Sequence, residues 1–121
     1  MNYLAIFIGG GLGSLFRYLI GLAFVNLKWK NFPIGTLAAN ILACLVMALF
    51  ITWASEKTDI EEHYKKLVLV GICGGLSTFS TFSLESIKLF KEGQLLIAIL
   101  NVSISIILCF SILYHFSQKW S

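Results

Sequence analysis

Charge is what this sequence has least of. Of its 121 residues only 12% are Asp, Glu, Lys or Arg, while 58% are hydrophobic. A soluble domain of this length needs a far more polar surface, so that class is excluded before any motif is considered. Acid is scarcest of all in the apolar stretches. The first, second and last of these hold no Asp or Glu, and Glu85 stands near the end of the third. A small proton-coupled exporter of drugs or cations, otherwise about this size, needs a carboxylate buried within a span, and its absence weighs against that alternative. Paired cysteines are missing too. Cys44, Cys73 and Cys109 are isolated and odd in number with no C-x-x-C, which supports neither a zinc site nor a disulfide framework and leaves small packing residues. No catalytic His–Asp or His–Glu pairing is present, so an enzyme has little support. A net charge of +3 spread over the loops gives no footprint for nucleic acid.

What remains is hydrocarbon. Asn31 to Ser55 is an uncharged run of 25 residues and Gly93 to Gln118 one of 26. Each exceeds the ~20 residues that a helix needs to cross a ~30 Å apolar layer. Leu67 to Leu84 adds 18, and Tyr3 to Phe24 is broken only by Arg17. The first segment lacks the basic start and small-residue cleavage site of a signal peptide. The sequence therefore predicts an all-α membrane protein, a single unit over 1–121 with spans at about 3–24, 33–54, 67–90 and 94–116. Polar links at Asn26–Phe32, Ser55–Lys66 and Lys91–Gly93 leave no room for a soluble domain. Tyr3, Trp29, Trp53, Tyr64, Tyr114 and Trp120 fall near span ends, where amphipathic rings favour lipid headgroups.

Four spans put Lys57, Lys65, Lys66 and Lys119 on one side and Lys28, Lys30, Lys88 and Lys91 on the other. Lysine near span ends sets orientation, so four against four is either the noise of short loops or a sign that copies insert both ways up and pair antiparallel.

Within the spans, Gly9 and Gly13 have the spacing that lets helices approach closely. With no strand before them and no acid at the right distance after, these glycines do not read as a dinucleotide loop. Arg17 must snorkel, pair or line a wet cavity; Glu85 is one possible partner, and an anchoring role and an anion-attracting role are both open. Pro33 suits a first helical turn. Thr36, Asn40 and Cys44 share one helix face, as do Asn101, Ser105 and Cys109. Each stripe is either interhelical glue or part of a polar path.

The densest polar cluster is GICGGLSTFSTFSLE, Gly71 to Glu85. It sets the hydroxyls of Ser77, Thr78, Ser80, Thr81 and Ser83 around Phe79 and Phe82. Gly74, Gly75, Ser77 and Thr78 favour an interruption of the third helix, since Gly costs ~1 kcal/mol in a helix interior and Ser and Thr offer competing hydrogen bonds. Irregular backbone at membrane depth survives only where it lines a cavity or is buried. Freed carbonyls suit a hard monovalent cation, and freed N–H groups and hydroxyls suit an anion. The phenylalanines are either packing residues or turn positive ring edges to that anion.

This stretch, with GGGLGSLFRY at Gly9–Tyr18 and FPIGTLAAN at Phe32–Asn40, resembles the Fluc-type fluoride channels, the CrcB family. The resemblance covers all four spans, with its motifs in the family's order. It implies an antiparallel, dual-topology homodimer in a bacterial cytoplasmic membrane, with two pores that export fluoride passively. Phe79 and Phe82 match the pore phenylalanines, Asn40 the pore asparagine, and Ser80 and Thr81 the adjoining hydroxyls, with Thr36 on the face of Asn40. Gly74 and Ser77 match residues whose carbonyls hold a central structural Na+ ion. Asn101, Ser105 and Cys109 fall on the polar track of the fourth span, and Arg17 and Glu85 near the vestibules. Some departures stand out: Ala43 and Ala48 where Gly is frequent, Asn101 where Tyr is common, and Cys109 where a hydroxyl or Gly is common. A paralogous chain joins some family members, whereas both phenylalanines here favour a self-sufficient homodimer. A non-conducting assembly subunit is the remaining reading.

Overall fold

The computed structural model describes residues 1–26 and 32–120. Trp29, Lys28 and Lys30, which entered the aromatic and charge arguments, lie outside the described residues, as does most of the Asn26–Phe32 link. The described chain is all-helical, with four helical segments long and apolar enough to cross a membrane: Asn2–Ala23, Ile34–Ser55, Glu62–Lys91 and Leu95–Ser117. We name the single helices α1 (Asn2–Ala23), α2 (Ile34–Ser55) and α6 (Leu95–Ser117). The third segment is composite. It contains α3 (Glu62–Lys65), a π-helical stretch (Lys66–Ile72), α4 (Cys73–Leu76) and α5 (Ser80–Lys91).

The third segment begins at Glu62, five residues before the apolar run. Glu62 faces Lys65 and Lys66, its i+3 and i+4 neighbours, at 4.0 and 3.8 Å, pairs that favour a helical first turn. Pro33 sits just ahead of α2, where its carbonyl accepts from Leu37 N–H. The turn between α5 and α6 is fixed by Gly93 at φ +80°, a left-handed conformation that glycine adopts without a Cβ penalty. Gly93 N–H donates to Phe90 O and Gln94 N–H to Leu89 O, satisfying the carbonyls at the end of α5.

Small residues face inward. Ala5, Gly9 and Gly13 are the buried positions of α1, and Ala39, Ala43 and Ala48 those of α2. Ala39 and Ala43 enclose Leu76, with Ile20 packed against them. Large apolar side chains face outward, among them Phe7, Leu96, Ile107 and Phe110. That arrangement inverts a soluble core: lipid is as apolar as Leu, so helices associate by close packing of small residues.

The Gly9–Gly13 spacing is used inside the protomer. Gly9 lies on Gly71, and Gly13 lies on Ile72 and Gly75, so backbone meets backbone where α1 crosses the third segment. A Cβ at Gly71 would come within 2.8 Å of Gly9 Cα, and one at Gly75 within 2.5 Å of Gly10 O.

Candidate functional site

Gly74 and Gly75, the residues that favour an interruption by composition, are themselves helical within α4. The backbone leaves the helix three residues after Gly74. Ser77 is extended at φ −79°, ψ 157°, and α5 starts at Ser80. Three side chains and one backbone group bind several of the polar atoms at this change of course. Ser77 N–H closes the last turn on Cys73 O at 3.0 Å. Thr78 N–H donates to Asn40 Oδ1 at 2.7 Å, and Asn40 Nδ2 donates back to Thr78 O at 3.4 Å. Thr78 Oγ1 then accepts from Thr81 N–H at 3.1 Å, which caps the first turn of α5. Arg17 Nε donates to Gly75 O at 3.1 Å. Among the described residues the partner of Arg17 is therefore this carbonyl rather than Glu85, because α1 packs backbone to backbone on α4.

A cavity of about 390 Å³ opens beside the Ser77–Phe79 segment. Its walls bring together Ser77, Thr78, Phe79 and Phe82 with Asn40 and Cys44 of α2 and Ser105 and Cys109 of α6. The two phenylalanine rings are tilted by 45° with centroids 6.0 Å apart. Phe79 is 79% exposed, so its ring is not held by packing within the protomer. Ser105 is 6% exposed, and its hydroxyl has no hydrogen-bond partner among the described residues. Among the described residues no Asp, Glu, Lys or Arg lines this cavity. It can therefore offer an ion dipoles and ring edges, and no formal charge.

Other residues singled out by sequence lie elsewhere. Thr36 and Thr81 line a second, smaller cavity of about 210 Å³ with Arg17 and Tyr18; Thr78 borders both spaces. Ser80 is exposed, its hydroxyl 3.5 Å from that of Thr78. Gly74 is exposed, with open space where a Cβ would stand. Glu85 lines a third cavity of about 270 Å³ with Pro33, Lys88 and Glu92, and its Oε1 is buried without a partner among the described residues. Asn101, 1% exposed, does not line the main cavity. Its Nδ2 donates to Ser86 Oγ at 2.9 Å, and Ser86 Oγ donates to Phe82 O at 2.9 Å. Asn101 thus holds α6 to α5 behind the phenylalanines.

Thr78, named from sequence as favouring the interruption, is the hub of the irregular segment, its hydroxyl accepting from Thr81 N–H. One residue escapes the sequence reading. Ser86, four residues after Phe82, carries the link to Asn101 and left no signal among so many hydroxyls.

The family model described as CrcB-like protein, Camphor Resistance (CrcB), matches residues 4–115. Among individual relatives, a protein of Escherichia coli strain UMN026 named "Fluoride-specific ion channel FluC" is 44% identical over 104 residues, 86% of this chain and 81% of its own length. A protein of the same name from Escherichia coli strain HS is 43% identical over the same shares.

Proposed function

Since the chain belongs to the CrcB-like family, we propose that it is a passive fluoride channel of the bacterial cytoplasmic membrane, relieving the cell of fluoride. The observation that carries this reading is the uncharged cavity beside Ser77–Phe79, where two phenylalanines meet the hydroxyls and Asn40. Moving a small ion from water into a medium of low dielectric costs on the order of 20 kcal/mol in the idealised limit. An anion path must offset that cost without binding so tightly that release fails. Ring edges, hydroxyls and amide N–H groups give partial positive charge in several weak portions, which suits passage better than one fixed cation. A proton-coupled carrier would need a carboxylate buried in the same cavity, and among the described residues its lining has none.

In this reading the permeating ion meets Phe79, Phe82, Asn40, Ser80 and Thr81, with Thr36, Ser105 and Cys109 along the walls. Asn101 acts by positioning Phe82 through Ser86. Arg17 and Glu85 serve the approaches. The Ser77–Phe79 interruption lies at mid-membrane, and two copies pair antiparallel. Exposed Gly74 and the extended backbone of Ser77 support this arrangement, because both depart from the packed helical plan of the residues before them. Four carbonyl oxygens, those of Gly74 and Ser77 from two subunits, would hold a structural Na+, which also offsets the repulsion an anion meets there.

Liposomes containing only this chain test the reading. Fluoride should leave down its gradient with no proton gradient or nucleotide, and chloride should not follow. Fluoride movement only against a driven proton flux would replace the channel with a coupled transporter.

A further inference from the structure

The three cysteines are isolated in sequence, but the fold brings two of them together. Cys44 projects from α2 and Cys109 from α6, and both line the 390 Å³ cavity. The two thiols reach this space from helices packed against one another, and both side chains are partly accessible. Ser105, one turn before Cys109 on the same face, turns a buried and unpartnered hydroxyl into the same space. An S–H group is a weak donor and a weak acceptor, so the thiol pair is poorly satisfied by itself.

We propose that Cys44 and Cys109 form a two-thiolate site for a soft univalent cation of the silver(I) or copper(I) class. Thiolate sulfur selects soft ions over Na+, Mg2+ or Ca2+. Among the described residues no group of three His, Cys, Asp or Glu side chains could share a metal, so the tetrahedral set preferred by structural zinc is not available. A two-coordinate ion needs no third ligand. The oxygen of Ser105, in the same lining, adds a further weak donor atom. On binding, each thiol loses its proton to the bath and two metal–sulfur bonds form, so one cation enters as two protons leave, with no change of oxidation state.

The test is a titration of the full chain, in chloride-free and thiol-free micelles, with silver nitrate. Bound silver and released protons are measured together, and fluoride flux is not needed. One silver ion per chain and two protons per silver are expected. Cys44→Ser and Cys109→Ser should each weaken binding at least about tenfold and leave one proton released, because a lone thiolate remains. Cys73→Ala removes a sulfur outside the cavity lining, and the site should survive it. Either serine variant suffices if the other fails to fold. Wild-type affinity in a folded Cys44→Ser or Cys109→Ser chain overturns the site, as does independent binding of one silver ion at each thiol.

Discussion

The two halves of the third segment are built on opposite plans. From Lys66 to Leu76 the chain is pressed against α1, with Gly71 and Gly75 in backbone contact with Gly9 and Gly10, and Cys73 and Leu76 each 2% exposed. From Ser77 to Phe82 contacts thin out, the helix is interrupted, and Phe79 stands 79% exposed beside an open cavity. At Gly71 and Gly75 the first half has no room for a methyl group. The second has room for an ion. Rigid packing on one side is what allows irregular backbone on the other, since Arg17 and Asn40 approach Gly75 and Thr78 from helices already fixed in place.

The comparison is broken most severely at Gly75. Gly75→Val should abolish recovery of folded protein in size-exclusion chromatography, at a cost on the order of 3 kcal/mol or more, because the obstruction is backbone that cannot move aside. Gly74→Ala, one residue away, should leave the protomer's helicity intact, since its Cβ meets open space. Equal damage at both sites would erase the contrast between the packed face and the open one.

Asn40→Leu comes next. It strands Thr78 N–H and O, with a penalty of about 1–3 kcal/mol for an unmet buried group, read as a lower thermal midpoint. Fluoride efflux from liposomes should fall at least about tenfold, the factor that accompanies roughly 1.4 kcal/mol. Asn40→Asp keeps the acceptor for Thr78 N–H and should recover much of the thermal midpoint.

Phe79→Ile and Phe82→Ile sharpen the comparison from the open side. Each keeps apolar bulk and removes a ring edge worth about 1 kcal/mol in favourable contacts, so efflux should drop several-fold with the thermal midpoint unchanged. Normal flux in both would make these residues packing elements. The smallest effect is expected for Arg17→Lys, which loses the Nε donor to Gly75 O and should lower the midpoint by the equivalent of about 1 kcal/mol.

Much of this was legible in one dimension, because hydropathy is a property of runs. The four apolar stretches and their ends follow from where charge is absent. The Ser77–Phe82 hydroxyls mark polar chemistry in hydrocarbon whatever surrounds them. The stripes containing Asn40, Ser105 and Cys109 follow from the 3.6-residue period of a helix. A period places residues on a face of their own helix. It leaves open how that helix is rotated against its neighbours, and there the reading of Asn101 diverges: the same stripe carries it to Ser86, behind the phenylalanines, while Ser105 and Cys109 reach the cavity.

The sequence by itself determined the solvent of this protein, the number of its crossings and the chemical character of its third segment, because each is a sum over neighbouring residues. Tertiary structure alone decided the partners. Gly9 and Gly13 meet Gly71 and Gly75, Arg17 serves Gly75 O, and Cys44 and Cys109 line one cavity. Nothing in Lys66–Ile72 announces a π-helical stretch, which lies where α1 presses closest to the third segment. Such choices depend on helix rotation and crossing point. These are set by steric fit between surfaces far apart in the chain, and no local pattern encodes them.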